Sequence, residues 1–146
     1  MTKLYRSALL PYSAEVMYDI VNRVERYQEF LPWCGESSVL SETEDSMKAK
    51  ILMQKGKLNH SFTTLNTLQK NKRISLTLVD GPFKELSGDW VFTDLGETGS
   101  KIELKLEFSF SSSLVGMLVK PIFTQIANSL VDSFCERAHQ LCRTKQ

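Results

Sequence analysis

Apolar positions along this chain follow two different periods, and the change of period divides it into elements. Between residues 37 and 110 apolar and polar side chains alternate in short runs separated by turn residues, which predicts strands. The last run is the clearest: Ile102, Leu104, Leu106, Phe108 and Phe110 alternate with Lys101, Glu103, Lys105, Glu107 and Ser109. One of its faces must be wet and the other buried. Strands are predicted over 37–43, 47–54, 58–68, 73–79, 83–93 and 100–110, with Gly56, Asn71, Gly81 and the pair Gly96 and Gly99 at the turns. Connections this short make neighbouring strands antiparallel. Another strand, 3–10, stops at Pro11.

Ser13 then caps a short helix over 14–24, with Glu15 in its first turn and Tyr12 and Met17 placed as a hydrophobic staple. Residues 27–34 form a second small helical turn rich in aromatics and stopped by Pro32. That segment is either a lid packed on the core or a wall of a ligand site. After Ser113 the period lengthens to three or four, through Val119, Ile122, Phe123, Ile126, Leu130, Val131, Phe134 and Ala138. This predicts a helix to about residue 143, roughly 45 Å long, against a radius of gyration of about 15 Å for a domain of this size. It must cross the whole molecule, and its broad apolar stripe needs a concave partner. The expected architecture is α+β: a seven-stranded curved antiparallel sheet around a long C-terminal helix, with two short helices after the first strand. Pro121 predicts a kink or break near Lys120, leaving 114–119 as a partly separate apolar turn. Such a helix is either bent to follow the sheet or a movable gate over a cavity.

At 146 residues the chain is expected to form a single domain, 1–146. Lys and Arg total 18 against 17 Asp and Glu, so no global field draws it to DNA or an anionic surface. No signal peptide and no unbroken apolar run of membrane-spanning length is read, which predicts a soluble cytoplasmic protein. Three cysteines suit a reducing compartment, and Cys34 reads as a lone loop thiol. Catalytic groups are scarce. His60 and His139 are isolated, Asp80 suits a turn, Asp89 points away from the face of Trp90, and neither a zinc spacing nor a phosphate loop nor a nucleophile elbow occurs. Gly88 sits among Leu86, Trp90 and Phe92, which predicts a sharp bend there.

The order of elements resembles the helix-grip fold of the START and polyketide cyclase superfamily. Pro11-Tyr12-Ser13-Ala14-Glu15, then Tyr27 to Cys34, then Asp80-Gly81-Pro82-Phe83 with Gly88 and Trp90, are similar to the coenzyme Q-binding protein family, whose bacterial members include ribosome association toxins. The resemblance implies a non-catalytic protein with no required cofactor, holding ubiquinone or another polyprenyl quinone in an apolar cavity in support of respiratory electron transport. The candidate lining is Phe30, Leu31, Trp33, Phe83, Trp90, Phe92, Leu118, Ile122, Phe123, Ile126 and Leu130. The alternative it implies is a toxin of a toxin-antitoxin pair that binds the large ribosomal subunit and blocks subunit association. For that role, or for transient contact with the inner membrane surface, the candidates are Lys55, Lys57, Lys70, Lys72 and Arg73. A cyclase or hydrolase using the same cavity ranks last, because few polar groups aim inward.

Overall fold

The computed structural model describes residues 1–56 and 58–143. β1 (Thr2–Leu10) leads into α1 (Ala14–Asn22) and a 3-10 helix (Val24–Glu29), followed by β2 (Cys34–Glu42), β3 (Ser46–Lys55), β4 (Leu58–Gln69), β5 (Arg73–Asp80), β6 (Phe83–Asp94), β7 (Ser100–Phe110) and α2 (Ser113–Arg143). The strands make one antiparallel sheet in the order β1-β7-β6-β5-β4-β3-β2. Strict alternation in β7 puts Ile102, Leu104, Leu106 and Phe108 on the buried face. Its partners are β1, from Thr2 opposite Phe108 to Leu10 opposite Ser100, and β6.

Curvature comes from bulges, which place an extra residue on one strand and increase its twist. Register shifts lie between Cys34 and Glu36, between Val39 and Ser41, at Thr63/Thr64 against β5, and between Phe83 and Glu85. Two of the extra residues, Leu40 and Val79, are turned outward and exposed. At Thr63/Thr64 the shift leaves two consecutive threonines buried, which simple alternation forbids. Gly88 is explained by close approach rather than by the predicted bend. A Cβ there would lie 2.8 Å from both Leu106 Cδ1 and the Lys105 carbonyl oxygen.

α1 begins as expected, with the Val16 amide donating to Ser13 Oγ at 3.2 Å. It ends sooner than predicted, at Asn22, and the 3-10 helix starts at Val24 and not at Tyr27. Cys34 is also misplaced by the sequence reading. It is the first residue of β2 and is buried, not a loop thiol, because Trp33 and Cys34 run straight into the bulged end of the strand.

α2 starts where Ser112 Oγ accepts from the Val115 amide at 3.1 Å, and of the kink or break predicted at Pro121 the break does not occur, since one helix runs through it. Pro121 lies on the solvent side, while Val119 and Phe123 on either side of it are buried and pin the helix to the sheet. The carbonyl that loses a partner there can be served by water. The inward stripe of α2 is Val119, Phe123, Ile126, Ala127, Val131, Phe134 and Ala138. Its principal neighbours are β1, β7 and α1. The sheet therefore grips the helix from one side, and a gap remains beneath β3, β4 and β5.

Candidate functional site

That gap is a cavity of about 90 Å³. β3 contributes Ala49, Ile51 and Met53, β4 contributes Phe62, Thr64 and Asn66, and β5 contributes Ile74 and Leu76. The far wall is Phe123, Ile126, Ala127, Leu130 and Phe134 of α2, and the end is closed by Val21, Val24, Tyr27 and Trp33. Leu86, Trp90 and Leu106 form the floor.

Five residues expected to line a cavity are brought together there: Trp33, Trp90, Phe123, Ile126 and Leu130. The others lie elsewhere. Leu31 is 1% exposed beneath the 3-10 helix. Phe83 packs edge-on against Phe123 and Phe62 at ring distances of 4.9 and 5.8 Å. Phe92 is buried against Tyr18 of α1, 5.6 Å between centroids. Phe30 is half-buried, with the Arg137 guanidinium 4.8 Å from its ring centroid. Ile122 leans on the β3–β4 turn, where a Cβ on Gly56 would sit 3.9 Å from its Cδ1. Leu118 is 51% exposed and faces solvent. These corrections share a cause: an apolar stripe in sequence does not say which part of it the one-sided grip covers.

Sequence reasoning missed the polar pair on the wall. Thr64 Oγ1 donates to Asn66 Oδ1 at 2.8 Å, and both residues are buried. The mixed polarity of β4 was the available signal, since polar residues on both faces of a strand require at least one to be inside. Tyr27 lay in the segment read as a lid or a wall but was not among the lining candidates, and it lines the cavity. Its hydroxyl donates to the Val21 carbonyl, and burial pushes its ionisation well above the usual phenol range. Trp33 Nε1 is buried with no hydrogen-bond partner.

The wall at Phe134 is fastened from outside. Arg137 Nη2 donates to Glu29 Oε1 at 2.8 Å, and Arg26 Nη1 to Glu29 Oε2 at 2.7 Å, tying the 3-10 helix to α2. Hydrogen bonding from Arg26, then from Arg137, holds the Glu29 carboxyl below its ordinary range. Burial disfavours the thiolate of Cys34 and raises its thiol pKa. Among the described residues no three His, Cys, Asp or Glu side chains form a cluster that could hold a metal. What the site offers chemically is an apolar enclosure with a few hydrogen-bonding groups.

The basic candidates divide between the two ends of β4. Lys55 is exposed at the β3–β4 turn, and Lys57 lies outside the described residues. Lys70 and Lys72 are exposed at the β4–β5 turn. Arg73 is not free, since its Nε donates to Asp89 Oδ1 at 3.0 Å, and Ser75 Oγ donates to the same oxygen at 2.6 Å. That hydrogen bond from Arg73 is the main reason the Asp89 carboxyl is held below its usual range.

A family model described as "Polyketide cyclase / dehydrase and lipid transport" matches residues 10–135. A protein of Pseudomonas aeruginosa named ribosome association toxin RatA is 50% identical over 140 residues, covering 96% of this chain and 97% of that one. The mitochondrial coenzyme Q-binding protein COQ10 of Dictyostelium discoideum is 28% identical over 137 residues, covering 90% of this chain and 66% of its own length. The solved structure of a START superfamily protein from Mycobacterium smegmatis superposes with a TM-score of 0.80 over 95% of this chain and 98% of that one, at 18% identity. At that identity the likeness shows the fold alone.

Proposed function

This chain belongs to the polyketide cyclase / dehydrase and lipid transport family, and on that premise we propose that it is a ribosome-binding toxin rather than an enzyme. It would bind the large ribosomal subunit and block its joining to the small one. The observation that carries this reading is the 50% identity, end to end, with a protein named for ribosome association. The size of the cavity supports it against the quinone carrier. Ligand sites enclose about 300–1,000 Å³, whereas the space beneath β3–β5 is about 90 Å³. Lys70 and Lys72, exposed together on one turn, are suited to phosphate contacts on ribosomal RNA.

Overproduction followed by sucrose-gradient sedimentation is the test. Free subunits should accumulate at the expense of joined ribosomes, and Lys70→Glu with Lys72→Glu should weaken the effect. Unchanged proportions of subunits and joined ribosomes in cells making the wild-type chain would end this reading.

A second reading keeps a polyprenyl quinone as guest. It is favoured by the almost wholly apolar lining, by the COQ10 relative, and by Trp33 Nε1 as a buried donor for a ring carbonyl. α2 would have to move away from β3 and β4 to make room. Mass spectrometry of an organic extract of the gently purified protein, and loading from quinone-containing micelles, decide it. If both come back without quinone, the carrier reading is wrong.

A further inference from the structure

The first three turns of α2 carry more apolar surface than the core uses. Leu114, Met117 and Leu118 are 66%, 74% and 51% exposed, and their i, i+3, i+4 spacing puts them on one face. α2 is apolar enough by composition to cross a membrane, with a mean hydropathy of 1.4 in its best window, yet only 28% of that window is buried. Packing against the sheet therefore does not account for its composition.

The charges on the first half of α2 and on the hairpin that touches it have one sign. Residues 113–131 contain a single charged side chain, Lys120, and it is exposed. Residues 46–55 and 58–69, the two strands of the β3–β4 hairpin, contain Lys48, Lys50 and Lys55 and no Asp or Glu. The tip of that hairpin reaches α2, where Gly56 lies against Ile122, one turn beyond Leu118. Lys55 and Lys120 thus border the apolar face.

We infer that this end of the molecule is a docking surface for an anionic lipid bilayer, with Leu114, Met117 and Leu118 entering the acyl boundary and Lys55 and Lys120 at the headgroups. Aliphatic side chains match acyl chains, and a helix face of this kind inserts about 5–10 Å into the interface. Ribosomal RNA offers phosphates and stacked bases, for which aromatic and basic side chains would be needed in place of leucine and methionine. This surface lies at the opposite end of β4 from Lys70 and Lys72, so it can act whether or not the ribosome reading holds.

Flotation of the full chain with lipid vesicles tests the inference. The wild-type chain should float with vesicles of phosphatidylcholine and phosphatidylglycerol in equal parts, and bind pure phosphatidylcholine vesicles at least fivefold more weakly. Met117→Glu and Leu118→Glu should each lower binding at least tenfold. Lys55→Glu and Lys120→Glu should each lower it roughly fivefold, the equivalent of about 1 kcal/mol per lysine at an anionic surface. Leu40→Glu changes a leucine that is 52% exposed on β2 and should leave flotation intact. All these positions are exposed, and thermal unfolding confirms that each variant keeps the fold. Failure of the wild-type chain to float with the anionic vesicles overturns the inference, as does wild-type flotation by Met117→Glu or an equal loss in Leu40→Glu. A wild-type dimer split by Met117→Glu, or ribosome cosedimentation lost in that variant without vesicle binding, would assign the patch to a second copy or to the ribosome instead.

Discussion

Phe134 is 1% exposed and meets three rings edge-on, those of Tyr27, Phe30 and Trp90, at centroid distances of 5.3, 5.6 and 5.3 Å. It joins α2, the 3-10 helix and β6 at one point. Phe134→Ala should cost about 3–5 kcal/mol, read as a lower urea midpoint with an unchanged slope. Tyr27 beside it makes stability depend on alkaline pH. Burial raises its ionisation in the folded state, so the folded chain keeps the proton while the unfolded chain gives it up above about pH 10. The Tyr27 contribution is fully present below that pH and is lost as pH rises toward the folded value. Urea titrations at rising pH should show stability falling past about pH 10, and Tyr27→Phe should flatten the fall. The same variant should lose about 1 kcal/mol at neutral pH with the hydrogen bond to the Val21 carbonyl. At this scale the sequence was only partly readable. The aromatic density of 27–34 announced that something packs there, but which rings meet depends on where the 3-10 helix begins, and that start lies inside a continuous amphipathic run.

α2 was the most legible element, since a stripe with a period of three or four persists from Val119 to Ala138 and a serine run precedes it. β7 was equally clear through its unbroken alternation. What periodicity could not convey is how far the sheet wraps around the helix. Leu118 in the separate apolar turn and Ile122 in the stripe were both expected to line the cavity with Phe123 and Ile126, yet the grip through β1, β7 and α1 leaves the first outside and the second at the edge. Pro121 predicted a kink or a break, and of the two the break does not occur. A proline interrupts a helix most when its turn has nothing else to hold it, and here buried side chains flank it. Bulges were invisible too, so consecutive buried threonines on β4 were not foreseen. Ile126 gives the gap an experimental handle, being 2% exposed on the cavity wall. Ile126→Trp should fill the cavity at a cost of about 1–3 kcal/mol. It should abolish any quinone loading while leaving ribosome sedimentation profiles as in the wild type.

Over the whole molecule the charges nearly cancel, so its encounters depend on where the lysines stand. β4, from Leu58 to Gln69, separates Lys55 from Lys70 by roughly 40 Å at about 3.4 Å per residue. A surface facing lipid at one end leaves the other end free. The pairing of the first strand with the last has a further consequence, because Thr2 meets its opposite number in the sheet only at Phe108. During synthesis β1 has no partner strand until β7 has been made, after every strand from β2 to β6. The strand made first is thus the last to join the sheet.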